Sequence, residues 1–242
     1  MLLRKILGSL RRVDEAYGLI ANGDKIAVGL SGGKDSMLLL YCLSLYQRFS
    51  QKSFSIIGIS IDIGFDNEIE KVLQYFSSMG VTILIEKTRI KNILELHKLH
   101  DHLDCSLCSN LKKGALVKVS KESGCNKIAL GHNADDAVET LFLNQIYGGK
   151  IATFQPVQYL SRDNVSLIRP FIYAYESEIA TVCEQIGLPI IPSNCPQDGV
   201  SKRQDIKIML SKLYKEYPQA RKNFLKMLSN QQQMALWEEK DK

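Results

Sequence analysis

The chain has 242 residues, 45% of them hydrophobic and 24% charged, a balance that suits a soluble globular protein with a sizeable core and excludes a disordered or fibrous one. No apolar run reaches the roughly 18 residues of a membrane span. The start MLLRKILGSLRR alternates apolar and basic residues without a signal-peptide core, so a cytoplasmic protein with no membrane partner is expected. The net charge of +5 gathers between Ser201 and Leu228, where eight bases face two acids; that run suits a polyanion, and a solvated helix face explains it as well.

In chain order, residues 2–22 read as one helix, with a break at Gly8 as an option, that enters the first strand through Asn22-Gly23-Asp24. Ile26–Val28 is that strand, and Lys34–Gln47 an apolar helix. Phe54–Asp62 is a second strand, Asn67–Met79 a helix stopped by Gly80, and Val81–Glu86 a third strand. Lys87–Asp104 reads as an ordered excursion across the sheet edge, followed by a helix from Ser106 to Ser123. Lys127–His132 is the fourth strand, Ala134–Tyr147 a helix closed by Gly148-Gly149, Val165–Pro170 the fifth strand, and Glu176–Ile186 a helix ended by Gly187. Prolines 189, 192 and 196 make LPIIPSNCP an extended loop, and from Lys202 two basic helices divide near Pro218. Strands alternating with helices predict an α/β fold, a doubly wound five-stranded parallel sheet in the order 3-2-1-4-5. The predicted domains are a helical segment 1–22, a nucleotide-binding domain 23–200 and a basic helical extension 201–242.

Leu30, Ser31, Gly32, Gly33, Lys34, Asp35 and Ser36 (LSGGKDS) lie where the first strand turns into a helix. Adjacent glycines let backbone amides approach an anion, and a helix start supplies unpaired donors and partial positive charge. A Walker A loop is excluded, because Val28 and Asp35 occupy the places of its first Gly and its Ser or Thr; a Rossmann GxGxxG is absent. What remains resembles the pyrophosphate loop of the ATP pyrophosphatases, which adenylate a substrate.

LGHNADDAVET, Leu130–Thr140, is a second strand end meeting a helix start, next to the first in the predicted strand order. Asp135 and Asp136 suit helix-capping acids, and, facing a triphosphate, they suit Mg²⁺. Six cysteines without a secretion signal argue against a disulfide framework. Cys42, Cys125 and Cys183 fit a core, whereas Cys105, Cys108 and Cys195 sit in polar or turn-like surroundings. A CxxC with a third cysteine suits either structural zinc, with His97, His100 or His102 as the fourth ligand, or three thiolates with one open coordination position.

The ordered set SGGKDS, CSLCS, KIALGHNADD, LFLNQIYGGK, IRP and PIIPSNC resembles the tRNA 2-thiocytidine synthetases, from about Asp24 to about Tyr217. The resemblance implies an adenine-nucleotide alpha-hydrolase fold, with ATP and Mg²⁺ as cofactors and Cys105, Cys108 and Cys195 as ligands of a 4Fe-4S cluster. The family often shows a second cysteine near the third ligand; Ser193 occupies that neighbourhood, which leaves Cys195 as the candidate. The implied reaction attaches AMP to the C2 oxygen of a pyrimidine, most simply an anticodon-loop cytidine, and replaces that oxygen with sulfur. Lys34 would offset charge on the departing pyrophosphate, and Asp136 would hold Mg²⁺. By resemblance to the 2-thiouridine synthetases, Lys112 would stand near the nucleotide, with Asp62 and Gly131 close to the adenosine. The partners implied are tRNA, bound through the C-terminal bases and the Arg11-Arg12 region, and a sulfur donor, either a cysteine desulfurase or sulfide; a homodimer is an option. The competing readings are 2-thiouridine formation, lysidine formation, and a nucleotide-binding regulatory module with structural zinc.

Overall fold

The computed structural model describes residues 1–64, 69–97, 104–192, 194–195, 201–230, 232 and 236. Of the residues singled out above, Asn67, His100, His102, Ser193 and Pro196 lie outside the described residues. By contacts within the chain, residues 1–134 and 155–201 form one compact unit, and residues 135–154 and 202–242 form a second.

In the first unit the apolar runs form one six-stranded sheet, β1 (Lys25–Leu30), β2 (Ser55–Asp62), β3 (Ile83–Lys87), β4 (Lys127–Ala129), β5 (Val157–Leu160) and β6 (Val165–Ile168), in the order β3-β2-β1-β4-β6-β5. Every pair is parallel except β5 with β6. The five parallel strands have the predicted order, and β5 adds an antiparallel edge that the sequence reading did not contain. Its four residues VQYL are half exposed, so no buried apolar run marks them, and the hairpin turns at Asn164 with φ 54.

Side chains alternate across the sheet, which gives it two apolar faces. Ala27, Ile59, Ile128 and Leu167 pack with Val117 and Val119 of α5 (Cys105–Glu122) on one face. On the other, α2 (Lys34–Phe49) lies close enough that a Cβ on Gly58 would meet Leu40 at 3.2 Å and Leu30 at 2.8 Å. Leu38, Leu39 and Leu40 are fully buried, because α1 (Leu2–Tyr17) and α7 (Glu176–Ile186) cover α2 in turn through packing of α7 on both. A helix covered on both sides needs an apolar sequence nearly all round, as MLLLYCLSLY is.

The first helix runs straight through Gly8 and stops earlier than predicted. Gly18 takes φ 62 and its amide reaches the Asp14 carbonyl at 2.8 Å, a left-handed cap that closes α1 at Tyr17. Two shorter helices, α3 (Glu70–Ser78) and α4 (Ile90–Leu96), follow β2 and β3; α4 occupies part of the stretch predicted as an excursion. In the second unit, α6 (Ala134–Gly148, from its second residue), α8 (Lys202–Glu216) and α9 (Ala220–Met227) share a core of Val138, Ile206 and Leu210. The rings of Phe142 and Phe224 meet there at 5.1 Å.

One buried carboxylate ties α1 to α2. Asp14, fully buried, accepts from the Ile20 amide at 2.8 Å, the Tyr46 hydroxyl at 2.8 Å and the Lys52 ammonium at 2.7 Å. Burial and the Asp14 carboxylate together push the Tyr46 phenol well above its ordinary pKa. Asp14→Ala would leave three donors without their acceptor, so it should lower the unfolding free energy by about 3 kcal/mol. Urea titration followed by circular dichroism checks this; an unchanged midpoint would contradict it.

Candidate active site

The site is built where β1, β2, β4 and β6 end. After Leu30 the chain makes the Ser31-Gly32-Gly33 turn and enters α2 at Lys34. Gly33 is the N-cap and has no side chain to accept from first-turn amides. Ser36 holds the turn shut: its hydroxyl donates to the Gly33 carbonyl at 3.0 Å, accepts from the Ser31 amide at 3.2 Å and lies 3.1 Å from the Ser31 hydroxyl.

Lys34 stands at the first helical position, with its ammonium 2.8 Å from Glu176 at the start of α7 and 3.2 Å from Asp35. Burial works to lower its pKa, and the hydrogen bond to Glu176 and the charges of both carboxylates outweigh it, so the net shift is upward. Lys34 therefore stays cationic at neutral pH.

Two neighbours crowd this turn, and both contacts require glycine. Gly32 has φ 83, and a Cβ there would fall 2.8 Å from the Ile191 Cβ; the Ile191 amide donates to the Gly32 carbonyl at 2.9 Å. The extended Ile190–Pro192 segment, three residues before Cys195, is thus pinned to the turn. From the other side comes the chain after β4: a Cβ on Gly131 would sit 2.9 Å from the Ser36 amide nitrogen, and Asn133 donates to Asp35 at 3.0 Å.

Beyond the strand ends lies a cavity of about 520 Å³. One wall is polar backbone from Ser31 and Gly32, which suits phosphate. A second is apolar, with Ile59, Ile61 and Ile63 from β2 and its exit, which suits the flat face of a base. The third carries Cys108, Lys112 and Lys113 from α5, with Cys195 beside them. Asp62 lies between the lining residues Ile61 and Ile63, and its carboxylate accepts from the Gly64 amide at 2.8 Å.

The CxxC is fixed by a helix cap. Asp104 accepts from the amides of Ser106 and Leu107 at 2.8 and 3.0 Å, which sets Cys105 at the first position of α5 and Cys108 one turn later. The Cys108 thiol is pushed up by burial, with Lys112 opposing and Cys195 and Cys105 adding repulsion between thiolates. The three sulfurs therefore share one electrostatic neighbourhood. None of the six cysteines is in a disulfide, and Cys42, Cys125 and Cys183 are buried as their sequence contexts imply. Among the described residues no group of three His, Cys, Asp or Glu side chains stands ready at metal-binding distances. The donor set still fits an iron-sulfur cluster in kind and place: three thiols outside any disulfide, two on one helix turn and the third close enough to Cys108 to act on its charge. His97, a candidate zinc ligand, caps α4 with Nδ1 2.9 Å from the Ile93 carbonyl.

Two further residues of the cavity were present in the quoted motifs without a role. Arg169, buried at the end of β6, donates through Nη1 to the Gln155 carbonyl at 2.5 Å and through Nε to His132 Nδ1 at 3.3 Å. Desolvation lowers its pKa to about 10, which leaves it charged at neutral pH. Both residues line the cavity. IRP and LGHN mark the ends of β6 and β4, and a position at the carboxyl end of a parallel strand is the signal that would have found them.

In the second unit, Asp135 and Asp136 stand in the first turn of α6 and are held by arginines. Arg221 grips Asp135 with Nε at 3.0 Å and Nη2 at 2.9 Å, a two-pronged pair. Arg203 reaches Asp136 at 3.1 Å, Thr140 at 3.2 Å and Glu139 at 3.7 Å.

A doubly wound sheet whose first strand opens into SGGKDS, with that turn lining a cavity shared with thiols, defines a PP-loop protein. The model of the PP-loop domain family matches residues 7–211. The chain is 35% identical over 232 residues to a tRNA-cytidine(32) 2-sulfurtransferase of Pelobacter propionicus, covering 95% of this chain and 86% of that protein. A protein of the same name from Geobacter sulfurreducens is 33% identical, covering 95% and 90%. Among solved structures, a U34-tRNA thiolase from Methanococcus maripaludis with its [4Fe-4S] cluster superposes with a TM-score of 0.76 at 23% identity, covering 94% of this chain and 77% of that one. An NH₃-dependent NAD synthetase from Campylobacter jejuni superposes with a TM-score of 0.51 at 17% identity, covering 96% and 93%. The chain belongs to the PP-loop family, in its tRNA 2-thiocytidine synthetase branch.

Since Gly131 abuts main chain that cannot move aside, Gly131→Ala should push the turn off its geometry and weaken ATP binding at least tenfold while the far-ultraviolet spectrum stays the same. Titration with ATP by calorimetry measures this; wild-type affinity in the variant would contradict it.

Proposed function

We propose that this protein is an ATP-dependent tRNA sulfurtransferase that activates the C2 oxygen of a cytidine in the anticodon loop with AMP and replaces it with sulfur. The observation that carries this reading is the single cavity lined by Ser31 and Gly32 of the pyrophosphate loop and by Cys108, Lys112 and Cys195. The names of its relatives support position 32 as the target cytidine.

In the first step O2 of the cytosine attacks the α-phosphorus of ATP, and the bond to pyrophosphate breaks. The Gly32 amide, the Ser31 hydroxyl and the Lys34 ammonium receive the negative charge that gathers on the leaving group, on a turn that Ser36 holds in shape. Oxide is a poor leaving group, whereas AMP is a good one. Lys112, which lines the same cavity, stabilises the adenylated base. The apolar wall from β2 excludes water that would hydrolyse it. Asp136 would hold Mg²⁺ in place of the Arg203 guanidinium that now donates to its carboxylate. Gly131 and Asp62 flank the adenosine.

Cys105, Cys108 and Cys195 would hold a 4Fe-4S cluster, which when bound supplies the sulfur that replaces O2. The thiol of Cys108, held protonated by burial, loses its proton on binding metal, and the Lys112 ammonium favours that loss. Sulfur reaches C2 as the C2–O bond breaks and AMP departs. The sulfur originates from a cysteine desulfurase or sulfide in the cytoplasm.

The reading is tested by mass spectrometry of tRNA nucleosides from cells lacking the gene. Loss of 2-thiocytidine, restored by the wild type and not by Cys108→Ala or Asp136→Ala, is expected; undiminished 2-thiocytidine would refute it. The two variants should fail differently. Cys105→Ala, Cys108→Ala and Cys195→Ala should each lose the broad visible absorbance of anaerobically reconstituted protein, which Cys42→Ala keeps. Asp136→Ala should keep the absorbance and lose AMP formation.

A further inference from the structure

α5 does more than carry the CxxC. Its outer face forms one side of a second concave surface, a groove of about 540 Å³ whose opposite side is Leu160 and Asp163 of the β5–β6 hairpin. Lys113, Lys118 and Lys121 point into this groove, and Gly114 between them would meet nothing within 4 Å if it bore a Cβ, so the helix surface is bare there. Lys113 and Val117 of α5 border both this groove and the active-site cavity.

We propose that this groove is the track for the tRNA backbone on one side of the target nucleotide, so that α5 guides the strand whose base enters the cavity. The inference rests on the sulfurtransferase reading. It is favoured by charge and by length. Three lysines of α5 (residues 113, 118 and 121) line the groove with two acids, Glu122 and Asp163, among its described lining, and these acids make long, exposed pairs with Lys118 at 3.9 Å and Lys121 at 3.7 Å. Pairs of that kind contribute little and yield readily to a phosphate. From Lys113 to Lys121 the helix rises about 12 Å, the length of three to four nucleotides of stacked strand at about 3.4 Å each. A base unstacked into the cavity leaves its neighbours' phosphates outside, where the next cations along the path are those of the groove.

The test uses the full-length, cluster-reconstituted protein and an unmodified transcript of a tRNA with cytidine at position 32. Binding is measured over a series of KCl concentrations for the wild type, Lys118→Glu/Lys121→Glu and the milder Lys118→Gln/Lys121→Gln. The charge-reversed pair should bind at least tenfold more weakly at low salt. In the neutral pair the slope of log affinity against log salt should be shallower by about 1.4 to 1.8, two phosphate contacts' worth. ATP affinity should not change in either, and Arg48→Glu, an exposed reversal at the end of α2, should bind tRNA as the wild type does. Wild-type tRNA affinity and slope in both lysine variants would overturn the groove alone, and would leave an acidic protein as its occupant. Failure of the wild type itself to bind tRNA would overturn the sulfurtransferase reading and the groove with it.

Discussion

The architecture depends on a steric constraint at the pyrophosphate loop. Gly32 touches Ile191 and Gly131 touches the start of α2, each too closely for a side chain. The first contact brings the segment that carries Cys195 to the phosphate site; the second presses the exit of β4 against the same turn. Because both are contacts with backbone or with Cβ, they cannot be relieved by a change of rotamer. Ser31 and Gly32 of the nucleotide site and Cys108, Lys112 and Cys195 of the thiol site thereby line one cavity.

The electrostatics around that cavity are graded. Lys34 is kept cationic by Asp35 and Glu176, whose carboxylates also balance its charge. On the α5 side of the cavity, burial disfavours the Cys108 thiolate and Lys112 favours it. The balance allows the thiol to stay protonated until a metal takes its sulfur. Arg169 adds a buried cation beside His132 at the strand ends. The site thus gathers the cations Lys112, Lys113 and Arg169 around a partly apolar lining, an arrangement suited to a polyanion whose base must be kept from water.

Much of this was legible in the sequence. Strand order follows from strands alternating with helices, and the helix starts at Lys34 and Glu176, the stop at Gly187 and the left-handed glycine at 149 follow from local rules of capping; the structure has them. SGGKDS and the CxxC were found by spacing, since their chemistry needs neighbouring residues. What escaped was non-local or weakly patterned. β5 is short, half exposed and paired at an edge, so no apolar alternation announces it. The partners of Asp135 and Asp136 lie 86 and 67 residues away in a basic run whose composition suits RNA as well as an ion pair, and only folding shows that Arg221 and Arg203 are engaged with acids. Arg169 and His132 stood inside quoted motifs, yet their shared cavity depends on β6 pairing with β4.

The central claim is that adenylate and thiols occupy one cavity, and cysteine accessibility in the metal-free protein tests it most directly. Alkylation by iodoacetamide is followed at each cysteine by peptide mass spectrometry, with and without saturating AMP. Occupancy of the cavity should slow modification of Cys108 and Cys195, which line it, several-fold, and leave the exposed Cys105, outside the lining, reacting at its original rate. Equal rates at Cys108 and Cys195 with and without nucleotide would contradict the account.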